Sequence, residues 1–133
     1  MKNINQIFFN NVKIYKDKPL FWYKKDLKWF SISWKKAMEE KEKLSNALKS
    51  LNVKKNEKVA IICPNSPQWC ISDLSIMSIG AVTVPGYITS TENELEYLLN
   101  HSECKGIFIS LNVLEKIRKI EKKLKFLKFI ICI

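Results

Sequence analysis

The sequence predicts an α/β fold: a partial doubly wound parallel sheet of βαβ units, preceded by an N-terminal helix and an aromatic-rich antiparallel hairpin. Three observations carry this reading. From Val59 to Ile133, short continuous apolar runs alternate with capped helical stripes. Each apolar run is short enough to be a strand and has no polar side, as strands covered on both faces require. Ahead of them, two aromatic-rich runs flank a polar turn, the pattern of a hairpin.

In chain order, Ile4, Ile7, Phe8 and Val12 make a loose helical stripe over Ile4 to Tyr15, and Pro19 ends any helix. Leu20 to Tyr23 and Trp29 to Trp34 read as the hairpin strands, joined around Lys25 and Asp26. Trp34, Ala37, Met38, Leu44, Ala47, Leu48 and Leu51 fall on one helical face opposite Lys and Glu. Ser33 is the expected N-cap, without a capping box because Lys36 holds its third position. Val59 to Cys63 is the first core strand. Ser66 then caps a helix from Pro67 to Ile79, with proline where its missing N–H costs nothing. That helix is apolar nearly all round and is expected to be buried, with Gly80 ending it in the left-handed conformation. Ala81 to Val84 is a second strand, closed by Pro85-Gly86. Thr91 and Glu94 form a capping box ahead of Leu95, Leu98 and Leu99. Gly106 to Ile109 is a third strand. Leu111, Leu114, Ile117, Ile120 and Leu124 stripe a helix with a basic opposite face, and Leu127 to Ile133 is a last strand with an open edge.

A chain of 133 residues is one domain at most. No apolar run approaches the roughly 18 residues of a membrane-spanning helix, and Met1 to Lys18 lacks the apolar core and cleavage site of a secretory signal. The formal charge of +10 suggests a polyanionic partner. Against that, Arg118 is the single arginine among 23 basic residues, whereas phosphate and base recognition favour the guanidinium fork. The lysines, together with 17 Ile and 11 Asn, suggest AT-rich coding bias and solvated surface. Cys63, Cys70, Cys104 and Cys132 form no C-x-x-C pair and sit in or beside apolar segments, so buried reduced thiols in a cytoplasmic protein are expected.

Few residues invite chemistry. Gly80, Gly86 and Gly106 are too scattered for a phosphate-cradling loop. His101 is the one imidazole and no serine lies in a nucleophile elbow, so it reads as a residue complementing a helix C-terminus. Thr89, Ser90 and Thr91 gather before a helix N-terminus, but capping accounts for Thr91. Glu92, Glu94 and Glu96 lie where a helix dipole favours carboxylates, without forming a metal cluster. Phe21, Trp22, Trp29, Phe30 and Trp34 read as core or interdomain packing, since no basic-aromatic RNA-binding signature accompanies them.

Taken together, DKPLFWYKKDLKWFSISWKKAMEEKEKLSNALKSLNVKKNEKVAIICPNSPQW and ISDLSIMSIGAVTVPGYITSTENELEYLLNHSECKGIFIS carry a family resemblance. The combination of PNSPQW, IGAVTVP, TST and NHSE, in that order, resembles the N-terminal part of AMP-forming acyl-CoA synthetases, the adenylate-forming superfamily. The bacterial long-chain fatty-acid ligases are the most similar. Two positions depart from the family pattern. Asn56-Glu57 replaces a Gly-Asp turn, which Asn tolerates. Gly86 replaces a bulkier residue, which is expected to loosen that strand exit.

The resemblance implies that residues 1–133 are the N-terminal portion of an AMP-binding domain, truncated before the phosphate loop. It implies a two-step reaction in which a long-chain fatty acid and ATP, with Mg²⁺, give an acyl-adenylate that CoA converts to the thioester. The motifs for that chemistry lie downstream in the family. No catalytic, cofactor-binding or metal-binding residue is therefore assigned here, and the chain alone is expected to be inactive. It leaves open a peripheral membrane contact and a need for the remainder of a synthetase. Alternative readings are a small α/β scaffold or split-enzyme subunit, and a binder of nucleic acid or anionic lipid through the Lys116 to Lys128 helix face.

Overall fold

The computed structural model describes residues 3–133. Asn3 opens helix α1 (Ile4–Tyr15) with a capping box: its side chain accepts from Gln6 N–H at 2.9 Å, and the Gln6 side chain accepts from Asn3 N–H at 3.3 Å. Strands β1 (Pro19–Lys25) and β2 (Lys28–Ser33) form the expected antiparallel hairpin. Both strands run further toward the turn than their aromatic cores suggest. Trp34 is not a strand residue but the first of helix α2 (Trp34–Ser50), whose cap Ser33 accepts from Lys36 N–H at 3.2 Å.

Strand β3 (Lys58–Ile62), helix α3 (Pro67–Ser78), strand β4 (Val82–Pro85), helix α4 (Glu92–His101), strand β5 (Cys104–Ile109), helix α5 (Leu111–Ile120) and strand β6 (Phe129–Cys132) follow. A 3-10 turn over Glu121–Lys123 ends α5, so the stripe that reaches Leu124 is not one continuous helix. Leu111, placed on its apolar face by spacing, is 73% exposed, and Val113 takes the buried position.

The four core strands are all parallel, in the order β4-β3-β5-β6. The chain steps from β3 to one side, then returns across it to β5. Crossovers of one hand must then lie on opposite faces, and they do. Helices α2 and α3 cover the face carrying Val59, Ile61 and Phe108, while α4 and α5 cover the face carrying Ala60, Ile62, Ile107 and Ile109. This is the doubly wound arrangement.

Behind α2 and α3, a third apolar cluster joins Phe8 of α1, Ala37 of α2, and Ile71 and Leu74 of α3 to Phe21, Ile32 and Trp34. The buried side of α1 is therefore Phe8 and Val12, and Ile4 and Ile7 stand largely exposed. Leu51 is likewise outside the α2 core stripe. Helix α3 is buried between the sheet and this layer, as its all-round apolar character requires. Its contact with α2 runs through serines. Ser45 Oγ and Ser78 Oγ lie 2.8 Å apart, and Ser75 Oγ donates to Ile71 O at 2.6 Å and Lys41 O at 3.2 Å. Small side chains allow the two helices to approach, and the hydroxyls of Ser45, Ser75 and Ser78 each keep a partner.

Two contacts at the sheet generate predictions. A Cβ on Gly106 would lie 1.9 Å from Cζ of Phe129, because β6 seats that ring directly over the glycine. Gly106→Ala is expected to lose roughly 1–3 kcal/mol through overpacking, read as a lower urea midpoint, and Phe129→Leu should recover part of the loss in the double variant.

At the amino ends of the strands, Asn56 adopts φ +67°, so the turn survives without its usual glycine. The carboxylate of Glu57 accepts from Lys54 N–H at 2.6 Å and from Lys105 Nζ at 2.9 Å. The Lys54 amide first, and the Lys105 ammonium after it, hold this carboxyl below the usual range. A lowered pKa contributes stability above the normal carboxylate value of about 4.3, and that contribution disappears as pH falls through the lowered one. Glu57→Gln should therefore be less stable than the parent at neutral pH by roughly 1 kcal/mol. The gap should close as pH falls through and below the ordinary carboxylate range, as followed by urea unfolding at each pH.

Candidate functional site

In an open parallel sheet, ligands bind outside the carboxyl ends of the strands, where successive connections leave in opposite directions. Here that point lies between β3 and β5. Its floor is the loop Cys63–Ser66 after β3 and the start of α5 after β5. Ser110 N–H donates to Ile62 O at 3.3 Å, tying the two strand ends together. On the β4 side, Gly86 N–H donates to Ile61 O at 3.0 Å. A Cβ at Gly86 would meet Ile62 Cγ1 at 2.8 Å and Leu98 Cδ2 at 3.0 Å. The expectation of a loosened strand exit is thus corrected: this glycine lets the exit close tightly over the β3 terminus.

Beside the β3 end of the crevice stands the hairpin. The pairings Trp22↔Ser31 and Lys24↔Trp29 put Trp22, Lys24 and Trp29 on one face. That face borders a groove of about 530 Å³ shared with Asn65, Ser66, Pro67, Gln68 and Cys70. Its far side continues into an apolar hollow of about 290 Å³ between α1 and α3, lined by Ile7, Phe21, Trp34, Trp69 and Leu74 among others. The hairpin aromatics, expected to pack in the core or between domains, fall into two groups. Phe21 and Trp34 join the core, but Trp22 is 60% and Trp29 65% exposed. Alternation along a short hairpin carries the signal that could have found them, since one of its faces has nothing left to cover.

The groups that could receive a phosphate are already engaged. Ser66 Oγ accepts from Trp69 N–H at 3.2 Å, Pro67 has no N–H, and Ser110 Oγ bonds the Asn112 side chain. No group of three or more His, Cys, Asp or Glu is arranged to hold a metal among the described residues. These residues wall a crevice but do not fit a triphosphate with its Mg²⁺.

The other sequence candidates are structural or peripheral. Thr91 accepts from Glu94 N–H at 3.3 Å and Glu94 accepts from Thr91 N–H at 2.7 Å, completing the expected capping box. The Thr91 N–H first, and the Thr91 hydroxyl at 3.0 Å after it, hold the Glu94 carboxyl below its ordinary range. Glu92 pairs with Lys119 at 2.8 Å and Glu96 with Lys123 at 3.2 Å. Lys116 Nζ donates to Ile88 O at 3.0 Å and Ser90 O at 2.8 Å, while Thr89 lies exposed. Three of the seven basic side chains from Lys116 to Lys128 are therefore tied to α4 or to the loop before it. His101, in the last turn of α4, stacks on Tyr97 with ring centroids 5.2 Å apart. Cys63 and Cys104 are buried as expected, and burial pushes their thiols up. Cys70 is half-buried, its thiol also raised by burial, and Cys132, expected to be buried, is exposed on β6, which pairs only with β5 among the described residues.

Comparison with known proteins places this arrangement. Residues 8–133 match the family described as AMP-binding enzyme. Fatty acyl-CoA synthetase A of Dictyostelium discoideum is 35% identical over 92 residues, covering 69% of this chain and 14% of that protein. The long-chain-fatty-acid–CoA ligase FadD15 of Mycobacterium tuberculosis is 31% identical over 80 residues, 60% of this chain and 13% of its own length. Among solved structures, the N-terminal domain of FACL13 from Mycobacterium tuberculosis shares the fold at a TM-score of 0.92 and 18% identity, covering 100% of this chain and 34% of that one. The anthranilate CoA ligase AuaEII in complex with anthranoyl-AMP gives 0.90 at 23% identity, covering 99% of this chain and 25% of that one. The chain thus spans about a seventh of the curated relatives it matches, 14% and 13% for the two above. Over that span, with its doubly wound sheet and hairpin wall, it belongs to the AMP-binding enzyme family of adenylate-forming acyl-CoA ligases.

Proposed function

We propose that residues 1–133 form the opening walls of the adenylate-forming domain of a long-chain fatty-acid–CoA ligase acting in the cytoplasm. That enzyme would join a fatty acid to CoA with ATP, through an acyl-adenylate, releasing AMP and pyrophosphate. The observation that carries this reading is the family match over residues 8–133, with relatives named for long-chain fatty acids. In this role the Cys63–Ser66 loop and the start of α5 build the floor of the crevice at the ends of β3 and β5, and the hairpin stands beside its β3 end. Groups that contact ATP, Mg²⁺ and CoA would come from outside these residues, because the hydroxyls and amides here are committed to caps and strand ends.

A second reading, that the chain is one part of a split ligase completed by another polypeptide, is favoured by the sheet edge. Strand β6 pairs only with β5 among the described residues, so its other side presents free backbone donors and acceptors.

Palmitate-dependent ATP–pyrophosphate exchange tests both. The chain alone should give none, and robust exchange would overturn the assignment of walls without chemistry. Grafted in place of the matching stretch of a long-chain ligase, it should sustain exchange with palmitate. A folded graft that exchanges only with short or aromatic acids would refute the long-chain assignment.

A further inference from the structure

The apolar stripe of α1 does not all reach the core. Ile4, Ile7, Phe8 and Asn11 follow one another at helical spacing on one face. Of these only Phe8 is buried, and Ile4 and Ile7 are 55% and 47% exposed. All four border the hollow of about 290 Å³ between α1 and α3. Across it, Trp69 and Asp73 stand one turn apart on α3, and Phe21 and Trp34 close the hairpin side. The Trp34 ring leans on Phe8, with centroids 5.7 Å apart and planes 32° from parallel. The wall is therefore aliphatic and aromatic, with its polar side chains confined to Asn11, Asp73 and the Cys70 thiol.

The charge of this wall is unlike that of the chain. Lysine and arginine outnumber acids 23 to 13, yet no basic residue lines the hollow and Asp73 is its only charged one. Asp73 is half-buried and forms no ion pair among the described residues. A carboxylate held partly out of water favours a cation beside it. Aromatic faces attract the same charge through their quadrupole, tryptophan most of all. We propose that the hollow is a binding site for a small organic ammonium ion, its apolar body seated among Ile7, Phe8 and Leu74 and its charge shared by Asp73 and the Trp34 and Trp69 rings. The volume selects a small ligand, since about 290 Å³ lies at the lower end of ligand pockets. An organic acid would meet Asp73 with like charge, and a neutral body would leave that carboxylate without a partner. The hollow opens behind α3, on the side away from the sheet. The proposal does not depend on the ligase reading.

Titration of the isotope-labelled full chain with benzyltrimethylammonium tests it, followed by NMR at the indole N–H signals of Trp34 and Trp69. Saturable shifts of both signals are expected. Benzyl alcohol should bind about tenfold more weakly, and phenylacetate more weakly still. Asp73→Asn keeps the side-chain shape at a partly exposed position, so the melting temperature should hold. It should weaken the ammonium by roughly tenfold and leave the alcohol unchanged. Trp69→Leu should act in the same direction, read at Trp34, and Asp26→Asn in the hairpin turn should bind like the parent. The proposal is overturned by the absence of saturable shifts at both indoles, or by alcohol or phenylacetate binding as tightly as the ammonium. Full affinity in Asp73→Asn would overturn it as well. The comparison of the three ligands on the parent chain decides the matter even where Trp69→Leu fails to fold.

Discussion

Strand β3 is covered on both faces, and the rest of the fold is arranged around that requirement. Val59, Ala60, Ile61 and Ile62 are each fully buried, yet successive residues point to opposite sides. A single helical layer could satisfy only half of them. The chain meets this by leaving β3 in one direction and returning across it, so that α3 with α2 seals one side and α4 with α5 the other. The crevice at the strand ends is a by-product of the same reversal, because the two connections separate there.

Polar groups elsewhere serve to hold this frame. The Lys116, Lys119 and Lys123 contacts set α5 against α4, and Glu57 with Lys105 and Lys54 closes the amino ends of the strands. Exposed ion pairs of this kind contribute little singly, and several bridging the same two elements act as a register. Uncommitted surface includes the hairpin, the outer side of α1 and the β6 edge. A segment that makes up 14% of a relative's length is expected to show such surfaces, where scaffold meets whatever surrounds it.

Most caps and turns follow from local physics. Ser66 before Pro67, Thr91 with Glu94, Gly80 at φ +78° and Asn56 in place of glycine each follow from backbone donors or dihedral preference within a few residues. The hidden features are the ones set by distant neighbours. Nothing near Ser45 or Ser75 says that they face each other's helices, nothing near Gly106 announces Phe129, and the exposure of Trp22 and Trp29 depends on what the hairpin leaves uncovered. The candidate site was legible only as an absence of phosphate-binding glycines. Its aromatic wall, brought beside Asn65 to Gln68 by chain folding, was not.

The sequence by itself determined the element order, the caps, the parallel two-sided sheet and the family, because periodicity and capping are properties of neighbouring residues and the matching segments keep their order. Tertiary structure alone decided which aromatics are core, which lysines are bound and where the crevice lies. Those depend on distances between residues 20 to 50 positions apart, such as the 28 between Ile88 and Lys116 or the 48 between Glu57 and Lys105, which no local pattern encodes.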